Sequence, residues 1–333
     1  MPKKTTLGFW SKLKKPIMCL APMSDVTDSA FRQIIAKYGK PDVFFTEFVS
    51  VAGLASLNRD KVAKTLYFTR KERPIVAQVW GSEPEQFYES TRLIRKLGFD
   101  GLDINMGCPD RAVEKQGAGA ALMKNPKLAW EIIKAAKRGA GPLPVSIKTR
   151  IGYNSNILEE WLPGLLQTEP AVLTIHARTR MQMSKVRADW NLIALAVKIR
   201  NQLKSRTLIV GNGDIQSLDQ ARLRTEETGV DGIMVGRAIF GNPWFFNAKK
   251  RIEDISLKER LLVLAEHTRL FEKLYRGQKN FDTMKKHFKA YASGFNGAKA
   301  LRVKLMACKN ADEVQNTINH YINIGGRDIT RLP

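Results

Sequence analysis

Eight short apolar runs alternate with amphipathic segments through the first three quarters of the chain, and this alternation limits the fold more than any other feature. The runs occupy 17–21, 43–46, 75–79, 101–105, 145–149, 172–176, 207–211 and 232–235. Runs that are apolar almost throughout, such as 75–79 and 207–211, suit parallel strands covered on both faces. Between the runs, apolar residues recur at helical spacing: Ala30, Phe31, Ile34, Ile35 and Tyr38 in one segment, Leu128, Ala129, Ile132, Ile133 and Ala136 in another. Ser82-x-x-Glu85 and Ser217-x-x-Gln220 have the form of capping boxes and predict helix starts. Eight βα units in succession predict an α/β fold of the (β/α)8 barrel type over an open doubly wound sheet. The 333 residues accommodate one such barrel and an appendage.

After Pro243 the strand-like runs stop. Leu261, Leu262, Leu264, Ala265, Thr268 and Phe271 form one helical face, and Met284, Phe288 and Tyr291 another. We therefore expect a barrel over residues 1–245 and a smaller all-helical domain over 246–333. From 247 to 309 there are 16 Lys and Arg against 6 Asp and Glu, interleaved with Phe271, Tyr275, Phe281, Phe288, Tyr291 and Phe295. For any one aromatic, a core position is the better reading. The charge is harder to set aside, because clustered cations repel one another and destabilise the fold that carries them. Over the whole chain, 55 Lys and Arg against 32 Asp and Glu leave a formal +23. An excess of that size points to a polyanionic partner, nucleic acid above all, and not to an enzyme serving only small metabolites.

Cys19, Cys108 and Cys308 are too few and too scattered for a disulfide framework or a metal clip, which predicts a reducing, cytoplasmic setting. No set of His, Cys and carboxylates has metal-ligand spacing, so no metal is expected. Lys3-Lys4 begins like a signal peptide, but the nearby apolar run contains Pro22 and stops at Asp25. No run approaches the ~20 apolar residues of a membrane span, so a soluble protein without membrane attachment is expected, acting as a monomer.

A barrel of this kind places its chemistry at the C-terminal ends of the strands and in the loops that follow. Unusual residues gather there: Ala21-Pro22-Met23 after the first strand, Gln78 in the third, and Asn105-Met106-Gly107-Cys108-Pro109 after the fourth. Lys148-Thr149-Arg150, His176-Ala177-Arg178, Gly211-Asn212-Gly213-Asp214 and Gly236-Arg237 follow at the next four. The last two form a candidate phosphate cradle, since glycines let backbone N–H groups approach an oxyanion. Lys148 is placed to neutralise a phosphate or an electron-rich ring. Residues 117–122 half match a dinucleotide fingerprint, but the third glycine is missing and no strand precedes them, so a Rossmann reading is rejected.

Cys19, inside an apolar strand, reads as a small hydrophobe, and Cys308 as a helix residue with no partner. Cys108 differs, because it lies in a loop at the mouth between Gly107 and Pro109. A thiol of ordinary pKa is protonated near neutrality and serves as a general acid. No adjacent base marks it as a thiolate nucleophile. Of the four histidines, only His176 belongs to this site; His267, His287 and His320 fall in the helical tail as ordinary core or surface residues.

Residues 21–28 (Ala-Pro-Met-Ser-Asp-Val-Thr-Asp), 103–109 (Asp-Ile-Asn-Met-Gly-Cys-Pro), 117–120 (Gly-Ala-Gly-Ala), 176–180 (His-Ala-Arg-Thr-Arg) and 212–215 (Asn-Gly-Asp-Ile) resemble the tRNA-dihydrouridine synthase family. The likeness runs from about residue 16 to 245, with a compatible helical tail. It implies an FMN-dependent TIM barrel that reduces the C5=C6 bond of particular tRNA uridines, with NADPH or NADH re-reducing the flavin. Pro22, Met23 and Ser24 would then line the flavin ring, and Gln78 and Lys148 would meet its polar edge. Asn212, Gly213, Asp214, Gly236 and Arg237 would hold its phosphate, with His176 nearby. Cys108 would be the proton donor, and Asn105, Arg111 and Arg178 would meet the substrate. Two positions depart from the family pattern: Ala112 stands where Lys is frequent, beside Arg111, and Ala177 replaces a glycine. The rival expectations are an FMN barrel acting on free pyrimidines and an RNA-binding protein that has lost its chemistry. Neither explains both the basic tail and the intact Cys108 loop.

Overall fold

The computed structural model describes residues 7–57 and 59–323. By contact density the chain forms two compact units: residues up to Thr27 with Pro41–Gly236, and Asp28–Lys40 with the residues from Arg237 onward.

The first unit holds a barrel of the expected type, though it ends at Gly236 where 245 was expected and residues 28–40 group with the other unit. Its strands are β1 (Ile17–Leu20), β2 (Phe44–Phe45), β3 (Val49–Ser50), β4 (Ile75–Trp80), β5 (Gly101–Met106), β6 (Val145–Arg150), β7 (Val172–His176), β8 (Leu208–Asn212) and β9 (Gly232–Val235). All pairings are parallel, in the order β1-β9-β8-β7-β6-β5-β4-β2. Closure comes from a parallel bridge between Cys19 and Val43, where the Leu20 N–H donates to the Val43 carbonyl at 3.0 Å. The second barrel strand is in two pieces, β2 and β3, both pairing with β4. The pairing offset changes by one residue between Phe45↔Val76 and Val49↔Val79, so the buried polar pair Thr46 and Glu47 sits in an irregular step of the strand.

Residues paired across a parallel ladder share a face. One parity therefore points into the barrel along every strand, and it separates by height. At the bottom, Ile17, Cys19, Val43, Phe45, Val76, Val172, Leu208, Val210 and Met234 form an apolar cluster with Trp10. Trp10 comes from the 3-10 turn Gly8–Lys12, stacks on Phe9 at 4.8 Å and is 2% exposed, so it stoppers the N-terminal end. Further along β4, β7 and β8 the same parity carries Gln78, Thr174, His176 and Asn212, and on β5 and β6, which add nothing to the cluster, it carries Asp103, Asn105, Ser146 and Lys148. The barrel is a greasy cup with a polar mouth.

The helix Pro126–Ala140 buries the predicted face through Ala129, Ile132, Ile133 and Ala136, and starts on an Asn125 cap. Ser217 caps the helix Leu218–Thr228, but the Gln220 side chain returns to the Gln216 N–H and not to that of Ser217. The expected cap at Ser82 is not formed. Pro84 has no N–H and a fixed φ, so it takes the first helical position and leaves Glu83 as the cap residue.

The second unit consists of helices. Ser29–Tyr38 joins Leu257–Tyr275, Lys285–Tyr291, Ala298–Ala307 and Ala311–Asn323 around a core that includes Ile34, Trp244, Leu264, Phe271, Phe288, Tyr291, Leu301 and Ile318. Phe271, Tyr275, Phe288 and Tyr291 are core residues, and Phe281 and Phe295 pack partly buried against them. Many of the lysines and arginines of this unit, among them Arg269, Lys273, Arg276, Lys286, Lys289, Lys299 and Lys309, face solvent. His267 and His287 are fully enclosed, while His320 is exposed. Among the described residues no helix is long and apolar enough to cross a membrane.

Candidate active site

The loop after β5 holds Cys108 by contacts from three directions. Asn105 Oδ1 accepts the N–H groups of Gly107 at 3.2 Å and Cys108 at 2.9 Å. Arg150 Nε, from the end of β6, donates to the Gly107 carbonyl at 2.7 Å. The Ala120 N–H donates to the Cys108 carbonyl at 3.0 Å. The last contact explains the half-matched glycine motif. Gly119 has φ +61°, and a Cβ there would lie 2.9 Å from the Cys108 carbonyl oxygen and 3.3 Å from Cys108 Cβ. The motif serves as the backing of the cysteine loop, a position only glycine fills.

Cys108 is half-buried beside Lys148 and Arg150. Desolvation raises its thiol above the ordinary value, an effect that the hydrogen bond from the Asp110 N–H and the neighbouring cations only partly offset. The group is a protonated thiol near neutrality, which suits an acid and not a nucleophile. Cys19 is buried in its strand as expected, whereas Cys308 differs from its expected place: it caps the helix Ala298–Ala307, and its sulfur donates to the Lys304 carbonyl at 3.4 Å and lies 3.6 Å from Thr317 Oγ1.

Below the loop, Gln78 and Asn105 are both enclosed. Asn105 Nδ2 donates to Gln78 Oε1 at 3.0 Å, and Gln78 Nε2 donates to Asp103 Oδ2 at 2.6 Å. Ser146 Oγ donates to Asp103 Oδ1 at 2.6 Å. Asp103 has 0% exposure, and burial raises its carboxyl to about 6 against the pull of Ser146, Gln78 and Lys148. Lys148 sits opposite Asn105 in register, partly open to the mouth. Desolvation, with Arg150 nearby, brings its ammonium down to about 8. Thr174, beside Lys148 on β7, has a buried hydroxyl with no protein partner among the described residues.

On the far side of the mouth, Arg178 departs from its expected role. It is 2% exposed, and its guanidinium is engaged within the protein. Nε donates to the Val186 carbonyl at 2.8 Å, Nη1 lies 3.0 Å from His176 Nε2, and Nη2 pairs with Asp214. Arginine only donates, so His176 Nε2 is the acceptor and the ring N–H falls to Nδ1. Arg178 is thus a strut behind His176 and Asp214 and offers no surface to a substrate. Asp214 also accepts the Ala188 N–H at 2.9 Å, so its carboxylate organises the loop after β8. Asn212 Nδ2 donates to the Met234 carbonyl at 2.8 Å. Gly213 has φ +139°, and a Cβ there would lie 2.6 Å from that of Ala188. We expect Gly213→Ala to lower the thermal midpoint by several degrees, equivalent to roughly 1–3 kcal/mol of backbone strain, measured by calorimetry. Gly236 is open by contrast, with Ala21 Cβ and Met23 Sδ each 3.6 Å from its virtual Cβ.

Pro22 and Met23 are half-buried and Ser24 exposed in a turn closed by Thr27, whose Oγ1 accepts the Met23 N–H at 2.9 Å. Arg111 is exposed on the short helix Arg111–Glu114, beside Ala112. Arg237 is exposed, follows Gly236 in the chain and opens the 3-10 turn Arg237–Ile239 of the second unit. Asp103, Ser146 and Gly119 were given no role in the expected site, and Arg150 was placed at the mouth without one. The first two share the inward parity of Asn105 and Lys148, which is the signal that would have revealed them.

The family model for dihydrouridine synthases matches residues 19–324. The chain belongs to the dihydrouridine synthase family. A relative named probable tRNA-dihydrouridine synthase 2, from Bacillus subtilis strain 168, is 43% identical over 319 residues, covering 95% of this chain and 97% of its own length. A probable tRNA-dihydrouridine synthase of Staphylococcus aureus strain MRSA252 is 40% identical over 317 residues, covering 94% and 95%. Among solved structures, the chain is similar in fold to the 6-hydroxypseudooxynicotine amine oxidase of Pseudomonas geniculata N1, with a TM-score of 0.53 at 13% identity over 69% of this chain and 46% of that one. Histamine dehydrogenase of Rhizobium sp. 4-9 gives 0.52 at 13% identity over 76% and 48%. A dihydrouridine synthase is an oxidoreductase, because forming dihydrouridine saturates the C5=C6 bond of uracil. In this member of the family, the latched Cys108 loop stands over a polar barrel mouth.

Proposed function

We propose that this chain reduces uridines of tRNA to dihydrouridine, with FMN seated in the barrel mouth, NADPH or NADH as reductant, and Cys108 as the proton donor. The observation that carries the reading is a thiol held protonated by burial on a loop fixed at the mouth. The lining suits a flavin. Lys148 and the partnerless Thr174 hydroxyl offer polar contacts at the centre, Pro22 and Met23 offer an apolar wall, and the open Gly236 with its neighbour Arg237 offers room and charge for a phosphate. Asn212, Gly213 and Asp214 shape the adjacent loop, where the Asp214 carboxylate, paired with Arg178, serves the loop and not the anion.

When bound and reduced by NADPH or NADH, FMN would supply the hydride for C6 of the uracil. The chain supplies the rest. Negative charge that develops on the pyrimidine is stabilised by Lys148, cationic below about pH 8. Cys108 Sγ gives its proton to C5. Asn105 is fixed by its own hydrogen bonds as the wall beside the base. The uridine must leave its stack to enter the mouth, and the exposed cations of the helical unit supply sequence-independent phosphate contacts to the RNA. A reducing cytoplasm and a monomeric enzyme fit this reading.

The deciding experiment incubates purified protein with FMN, NADPH and an unmodified tRNA transcript, then maps dihydrouridine by mass spectrometry. Gain of two hydrogens at defined uridines is expected. Flavin-loaded protein that reduces free uracil and leaves tRNA untouched would overturn the reading.

A further inference from the structure

We propose that Asp103 is a positioning residue that sets the hydrogen-bond polarity of a side-chain relay, Asp103–Gln78–Asn105, and through it latches the loop carrying Cys108. Its bearing on catalysis rests on the function proposed above; its bearing on the thiol does not.

A primary amide has one end that only donates and one that only accepts, so each amide in a chain dictates the orientation of the next. Here both ends of the relay are fixed independently. At the loop, two backbone N–H groups require an acceptor, so Asn105 must present Oδ1 to them and Nδ2 to Gln78. At the other end, ionised Asp103 only accepts, so Gln78 must present Nε2 to it and Oε1 to Asn105. The two requirements agree. Ser146 completes the arrangement by donating to the second oxygen of Asp103.

Nothing about packing alone calls for a carboxylate there. Asparagine has the same shape, and burial already works against the charge, as the raised Asp103 carboxyl records. A buried charge kept against that pressure marks a site where charge has a task. The ionised and ionisable groups that face Asp103 are Lys148 on β6, which favours the carboxylate, and Cys19 on β1, whose thiol burial keeps protonated.

With Ser146 still donating to its Oδ1, the amide introduced by Asp103→Asn turns its NH2 to Gln78 and gives the relay a donor where it needs an acceptor. If the new amide donates, Gln78 turns to accept, Asn105 turns in response, and its NH2 meets the two loop N–H groups. Donor then faces donor and the latch opens. Exchanging the charge across the contact restores the polarity. In the double variant Asp103→Asn with Gln78→Glu, the introduced asparagine donates to the introduced glutamate. That glutamate also accepts from Asn105, so Asn105 Oδ1 faces the loop again. Ser146 still donates to the oxygen of the new amide. The single variant Gln78→Glu sets two carboxylates side by side and has no such remedy.

The test is the alkylation rate of Cys108 by iodoacetamide in the flavin-loaded protein, with the site identified by peptide mass mapping and the thiolate rate taken from a full pH profile. Asp103→Asn is expected to speed alkylation about tenfold, the effect of losing two charge-free hydrogen bonds at the loop. Asp103→Asn with Gln78→Glu is expected to return to within about twofold of the parent, and Ser146→Ala, which leaves the relay polarity intact, to stay there as well. The proposal is overturned if folded Asp103→Asn alkylates at the parent rate, or if the double variant alkylates as fast as Asp103→Asn. If Asp103→Asn does not fold, the double variant decides: it preserves every hydrogen bond of the relay, so its failure to fold would equally overturn the proposal. A Cys108 that proves irrelevant to uridine reduction would remove the function proposed above and leave these alkylation rates unchanged.

Discussion

Cys108→Ala is expected to retain flavin and tRNA binding and to lose about 10²–10⁴-fold in the rate of dihydrouridine formation, the range a well-placed general acid contributes. The loop should survive the substitution, because its contacts run through backbone atoms: the Gly107 and Cys108 N–H groups to Asn105, the Gly107 carbonyl to Arg150 and the Cys108 carbonyl to Ala120. The sulfur also accepts the Asp110 N–H, and that bond is lost in the variant while the backbone contacts remain. The variant therefore separates chemistry from architecture. Single-turnover mixing of reduced enzyme with tRNA is the measurement, followed by flavin absorbance and by the dihydrouridine product. Flavin oxidation coupled to dihydrouridine at the parent rate would exclude the thiol as donor. The pH dependence has a definite sign. Burial raises the Cys108 thiol, so the protonated form persists through neutrality, and the rate should fall on the alkaline side, first as Lys148 loses its charge near pH 8 and again above the thiol's ordinary range. A base or a thiolate nucleophile in the same position would give the opposite limb.

The barrel was legible in the sequence because eight short runs rich in apolar and β-branched residues recur between amphipathic segments, and runs such as 75–79 and 207–211 are apolar almost throughout. The second strand was only half legible. Thr46 and Glu47 interrupt it with buried polar groups, and the short continuation at Val49–Ser50 lies too close to a helix to show as a run. In the site, the residues that stood out were those next to a strand end with unusual chemistry, Cys108, Lys148 and His176 among them. The partners that give them direction were hidden. Asp103 and Ser146 reach Gln78 and each other only through the lateral register of β4, β5 and β6, which no single strand displays. Arg178 illustrates the converse. Its position beside His176 suggested contact with the substrate, yet the loop that returns after β7 brings the Val186 carbonyl and the Ala188 N–H around it and Asp214. A cation near a mouth is read as a ligand until the acceptors that surround it are known, and those come from distant residues.

Acidification is expected to unfold the helical unit well before carboxylate titration alone would. His267 and His287 pack edge to face at 4.7 Å, and Phe31 lies 5.5 Å from the first ring and 5.1 Å from the second. Neither nitrogen of His267 has a partner among the described residues, nor does Nδ1 of His287. Desolvation depresses both rings, His267 to about 3, and His287 further feels its neighbour and Lys286. The folded unit therefore holds two neutral imidazoles, whereas the unfolded chain protonates them below about 6.5. Their contribution is fully present above that pH and is lost as pH falls toward the folded-state values, at up to about 1.4 kcal/mol per pH unit for each ring. At pH 5 the pair removes about 4 kcal/mol, a large share of the roughly 5–15 kcal/mol that holds a typical domain. Asp103 works in the other direction in the barrel: its folded value of about 6 exceeds that of an unfolded aspartate, so proton uptake between about 6 and 4 favours the folded state there. Denaturant titrations at pH 7.5 and 5, followed by hydrogen exchange resolved by peptide, should show the helices Leu257–Tyr275 and Lys285–Tyr291 losing protection first. The paired variant His267→Phe with His287→Phe keeps the aromatic packing and removes both titrating groups, so its helical unit should be nearly indifferent to this pH change. Equal acid sensitivity in parent and variant would show that the buried rings are not what acid attacks.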